Sequence, residues 1–66
     1  MQITLNGEPY ALDETVTVRA LIDRLALTGK RLAVEVNEEV VPRSRHPEFH
    51  LSEGDRVEIV HAIGGG

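Results

Sequence analysis

The chain has no cysteine and no tryptophan, and its aromatic residues are Tyr10 and Phe49 alone. Without cysteine, disulfides, thiolate metal sites and thiol nucleophiles are excluded. Two aromatics offer little for base stacking. The 7 Lys and Arg against 11 Asp and Glu leave a formal charge of −4, which disfavours phosphate backbones. Nucleic acid is therefore not an expected partner. No apolar run approaches the roughly 18 residues of a membrane-spanning helix. Met1-Gln2-Ile3-Thr4 lacks the basic and then apolar regions of a signal peptide. No membrane association is expected, and the expected location is the cytoplasm. The 66 residues allow one small domain spanning 1–66. A domain of that size without disulfide or metal staples must rest on a well-patterned apolar core.

That patterning is present. Ile3 and Leu5 alternate with Gln2, Thr4 and Asn6, as in a strand with one buried face. Asn6-Gly7 predicts a two-residue hairpin, whose central residues both need positive φ. Glu8 to Leu12 returns as a second strand with Tyr10 and Leu12 on one face, and Pro9 places it at a sheet edge. The period then changes. Val18, Leu21, Ile22 and Leu25 stand at i, i+3, i+4 and i+7, the stripe of a short helix capped by Thr17, with Val16 packing on Leu21 as a staple. Gly29 is the expected left-handed residue at its end. Leu32, Val34 and Val36 mark a third strand, Asn37-Glu38 a turn, and Glu39 to Val41 a short fourth strand stopped by Pro42. Glu38 is a poor choice in that turn, because its Cβ makes positive φ costly. Arg43 to Phe49 reads as an irregular charged crossing containing Pro47. Glu53-Gly54-Asp55 reads as a tight turn before a last strand, Arg56 to His61, with Val57 and Ile59 inward. The order β-β-α-β-β-β predicts a two-layer α+β domain, one helix stripe buried on one sheet face.

The chemistry-bearing feature is Ala62-Ile63-Gly64-Gly65-Gly66. A glycine run reads either as an inert flexible tail or as the thinnest backbone a chain can present. In the second case it threads a narrow channel and offers its α-carboxylate to an active site on another protein. A carboxylate becomes an acyl donor once adenylation by ATP supplies a leaving group. Residues 62–66 have no packing reason to be ordered and are expected to form a flexible tail. Val60 and Ala62 alternate with the inward residues of the last strand and point to the other sheet face, beside the tail. They are ordinary exposed residues or a docking patch for the partner enzyme.

The remaining candidates are weaker. His46 and His50 are four apart, but Pro47 between them disfavours a helix that would align them, and His61 stands alone. No metal site is expected from two histidines without a third ligand. Glu38-Glu39 reads as solvated charge, and Asp13-Glu14 as charge suited to a helix dipole. No acid, base and nucleophile can be assembled, and Gly64-Gly65-Gly66 precedes no helix and so cradles no nucleotide. The chain is not expected to be an enzyme or to need a cofactor of its own.

Val34-Glu35-Val36-Asn37, Val41-Pro42-Arg43, Glu53-Gly54-Asp55-Arg56-Val57-Glu58-Ile59-Val60 and the terminal Ala62-Ile63-Gly64-Gly65-Gly66 together resemble the ThiS sulfur carriers of thiamine biosynthesis. The resemblance spans nearly the whole chain. It implies a ubiquitin-like β-grasp fold with a mixed sheet of about five strands on one helix. It implies that the Gly66 carboxylate is adenylated by a ThiF-type enzyme, converted to a thiocarboxylate with sulfur from a donor protein, and delivered to thiazole synthase (ThiG). In that scheme Gly64 and Gly65 give clearance in the partner's channel, Ile63 and Ala62 anchor the tail, and Val60 belongs to the docking face. Glu38 departs from the family, where glycine is frequent. The alternatives are a β-grasp sulfur carrier of another pathway, such as the small subunit of molybdopterin synthase, or a plain β-grasp interaction module with an inert tail.

Overall fold

Alternation at the N-terminus forms β1, Gln2–Leu5, and the Asn6-Gly7 turn returns the chain as β2, Glu8–Ala11. Asn6 and Gly7 have φ of 50° and 85°, the pair of left-handed residues that a tight hairpin needs. The computed structural model describes residues 1–62 of the chain. The helix α1 spans Val18–Arg24. The Thr17 hydroxyl accepts the Ala20 amide at 3.1 Å, and Val16 and Leu21 are both buried in the core, as a cap and staple require. Beyond it come β3, Leu32–Val36, β4, Glu39–Val40, and β5, Arg56–His61.

The sheet order is β2-β1-β5-β3-β4. β1 and β5 run parallel and the other pairs antiparallel, so the first and last strands of the chain lie side by side at the centre. β2 is an edge, where Pro9 leaves no ladder position unfilled. Val18, Leu21 and Ile22 of the helix enter one core with Ile3, Leu12, Val34, Val36, Val41, Leu51, Val57 and Ile59. Among the described residues the other face of the sheet carries no helix.

Four local expectations are corrected. The helix ends at Ala26 rather than Gly29. Ala26 takes φ 61°, its amide bonds to the Asp23 carbonyl and the Leu27 amide to the Ile22 carbonyl, each at 3.0 Å. That pair of bonds is a Schellman termination, and Gly29 (φ 86°) serves the following turn instead. The crossing after Pro42 is not wholly irregular: Arg43–Arg45 forms one 3₁₀ turn. The first turn of α1 holds no acid, so Asp13 and Glu14 lie too far upstream to serve as dipole partners. The fourth strand is also shorter than expected, although Val41 still donates to the Val34 carbonyl at 2.9 Å.

Candidate functional site

The last strand carries the candidate site, and its position is over-determined. β5 is hydrogen-bonded on both sides, to β1 and β3. Two turn asparagines also clasp it. The Asn6 side chain donates to the Ile59 carbonyl at 3.2 Å and accepts the Ile59 amide at 2.9 Å. The Asn37 side chain accepts the Arg56 amide at 2.9 Å and donates to Asp55 at 3.0 Å. Each asparagine therefore does two jobs, since it tolerates the left-handed turn (φ 50° and 53°) and its amide extends the ladder onto β5. The composition of the turns was legible in the sequence. Their long-range bonds to β5 were not.

Val57 and Ile59 face the core as expected, and Val60 is 56% exposed on the open face of the sheet. Register places Ala33 beside Val60, and Glu35 beside Glu58. Val40, opposite Glu35 and 69% exposed, adds a second apolar side chain to this face. Ala62 is half-buried, and its amide donates to the Arg31 carbonyl at 2.9 Å. The ladder thus continues one residue beyond β5. Ile63, Gly64, Gly65 and Gly66, the rest of the expected tail, lie outside the described residues.

The histidines do not converge. His46 is buried with Nε2 3.0 Å from the Val41 carbonyl. Because a carbonyl only accepts, Nε2 carries the hydrogen there. His50 pairs with Thr17 through an isolated backbone bridge, and His61 is exposed on β5. Among the described residues no three His, Asp or Glu side chains gather as a metal site would require. Glu38 and Glu39 are exposed at the β3–β4 turn. What this strand can do chemically is present a flat, partly apolar face and hold the base of the segment that follows it.

Comparison with known proteins bears on that segment. The model of the ThiS family matches residues 3–66. The chain is 38% identical over 65 residues to the sulfur carrier protein ThiS of Bacillus subtilis, covering 97% of this chain and 98% of that one. It is 39% identical over 66 residues to a thiazole synthase of Paramagnetospirillum magneticum, which covers 100% of this chain. The chain spans 20% of the length of that protein and of a second thiazole synthase that it matches. The crystal structure of a thiamine biosynthesis protein (ThiS) from Geobacter metallireducens superposes with a TM-score of 0.88 at 33% identity, covering 100% of both chains. The five-stranded mixed sheet on one helix is the ubiquitin-like β-grasp.

Proposed function

The chain belongs to the ThiS family of sulfur carriers in thiamine biosynthesis, and on that basis we propose that its reactive group is the α-carboxylate of Gly66. A carboxylate oxygen attacks the α-phosphorus of ATP in the active site of a ThiF-type partner, and pyrophosphate leaves. A sulfide-level nucleophile from a sulfur-donor protein then attacks the acyl carbon and displaces AMP, leaving a thiocarboxylate. That sulfur passes to thiazole synthase for the thiazole ring. ATP belongs to the partner, and this chain brings no cofactor and no catalytic residue of its own.

The observation that carries this reading is the family match through residue 66, which takes in Gly64, Gly65 and Gly66. Glycine suits each step for one reason: without Cβ, three successive residues pass through a channel too narrow for any other side chain. Ala62 and Ile63 form the base of the tail. Val60, two residues before Ala62 on the open face of β5, belongs to the surface that docks on the adenylating enzyme. The two thiazole synthases that contain a segment like this chain support thiazole synthase as the acceptor. The reactions use ATP and are placed in the cytoplasm.

The test is ATP–pyrophosphate exchange with the adenylating partner, using variants that lack Gly66 or carry one added Trp after it. Removing one residue retracts the carboxylate by up to about 3.3–3.6 Å, more than a reacting pair tolerates. Both variants are expected to keep the circular dichroism of the parent chain and to lose exchange. Exchange at the parental rate by the folded, extended variant would remove Gly66 from the chemistry.

A further inference from the structure

We propose that the cleft between α1 and the 3₁₀ turn binds a small phosphate-bearing anion, a phosphomonoester or diphosphate group. The cleft has a volume of about 310 Å³ and lies on the helix side of the molecule, away from the open sheet face. Arg19 enters it from α1, Lys30 from the loop after the helix, and Arg43 from the 3₁₀ turn. Three of the seven cations of a chain with net charge −4 thus line one concavity. They are separated by more than ten residues in sequence, and only the fold brings them together.

Their charges are unequally offset. Arg19 lies 3.8 Å from Asp23, whose carboxylate also accepts from the Thr28 hydroxyl at the rim. Lys30 and Arg43 have no carboxylate partner among the described residues. Among the described residues the cleft therefore keeps an excess of positive charge that no carboxylate offsets. Two of its walls are also tied together. The Arg19 amide donates to the His46 carbonyl at 2.9 Å, tying α1 to the crossing segment. His46, buried in the wall, holds the Val41 carbonyl through Nε2, and the His46 amide bonds to the Arg43 carbonyl at 3.1 Å. Ile22 and Leu32 give the cleft an apolar side. Cations converging from three segments on one partly apolar concavity suit a compact anion with several oxygens, where each contact is a charge-assisted hydrogen bond. A compact anion is favoured over an extended acidic protein segment because the three cations line one concavity of about 310 Å³.

The proposal does not rest on the tail chemistry, although the cleft adjoins the end of β5: Leu32 pairs with His61, and Ala62 bonds to Arg31 between Lys30 and Leu32. It is tested on the full chain, labelled with nitrogen-15, by titration with sodium phosphate and sodium pyrophosphate against sodium chloride of equal ionic strength. The expected result is saturable movement of the Thr28, Gly29, Lys30 and Arg43 amide signals, with pyrophosphate tighter than phosphate. The exposed double variant Lys30→Ser/Arg43→Ser is expected to bind pyrophosphate at least about tenfold more weakly, because two charge-assisted contacts are lost. Arg56→Ser, on the opposite face of the sheet, is expected to bind as the parent chain does. Shifts no larger than those with chloride, or equal binding by the double variant, would overturn the proposal. So would saturation of the same signals by an oligoglutamate peptide but not by pyrophosphate, which would assign the cleft to an acidic protein partner.

Discussion

Replacing Glu38 by glycine should make this domain more stable, although it deletes a charged side chain. Asn37 and Glu38 sit in the β3–β4 turn with φ of 53° and 72°, both in the left-handed region. Asparagine tolerates that region and bonds to β5 from it. Glutamate gains nothing comparable. It is exposed and takes part in neither of the ion pairs of the described residues, Arg19–Asp23 and Arg45–Glu48. A non-glycine residue held left-handed costs about 1–2 kcal/mol. Glycine removes that cost but adds about 0.4–1 kcal/mol of unfolded-state entropy. Taken at mid-range these leave a stabilisation of about 0.5–1 kcal/mol, or about 2–8 °C in melting midpoint for a domain of this size. Urea unfolding followed by circular dichroism measures it, with an increased midpoint and an unchanged slope. Glu39→Gly is the control, because that residue lies in β4 and should only lose strand propensity. An unchanged or lower midpoint for Glu38→Gly, at constant slope, would show that the turn stores no such strain.

The other expectations concern the clasp, the docking face and the core. Asn6→Gly keeps the turn conformation but removes both side-chain bonds to Ile59, and should cost about 1–3 kcal/mol by urea unfolding. Val60→Asp should leave the melting midpoint within a degree or two of the parent and weaken binding to the adenylating partner by at least about tenfold. The reason is that a charge in an interface core is desolvated without a partner. Equal affinity by calorimetric titration would remove Val60 from the docking surface. Leu21→Ala empties the centre of a core in which Leu21 is fully buried, at a cost of about 2–5 kcal/mol. Against the about 5–15 kcal/mol of typical domains, that should leave a substantial unfolded population near 37 °C.

Most of the architecture was legible because it follows from local rules. Alternation at Ile3/Leu5 and Val57/Ile59, the Asn6-Gly7 pair and the Val18/Leu21/Ile22 stripe each name an element and its buried face. The helix end was misplaced for a physical reason. Ala26 has no intrinsic preference for the left-handed conformation and adopts it because the Schellman bonds hold it there, so the sequence points to the nearest glycine instead. Arg43-Ser44-Arg45 is too short to show a helical period, and a buried His46 within a charged crossing has no sequence signal at all. For the site, parity alone placed Val60 on the open face. The clasp on β5 could not be read, because Asn6 and Ile59 are 53 residues apart. The cationic cleft could not be read either, because residues 19, 30 and 43 share no motif.

The most direct measurement is intact mass spectrometry of the chain after reaction with its adenylating enzyme, ATP and the sulfur donor, followed by fragmentation. The expected product is the parent mass with one oxygen replaced by sulfur, the replacement confined to the fragment that ends at Gly66, and no such product without ATP. If the complete reaction, shown to be active by its release of pyrophosphate, left that carboxylate unchanged or placed sulfur elsewhere on the chain, Gly66 would not be the carrier of sulfur.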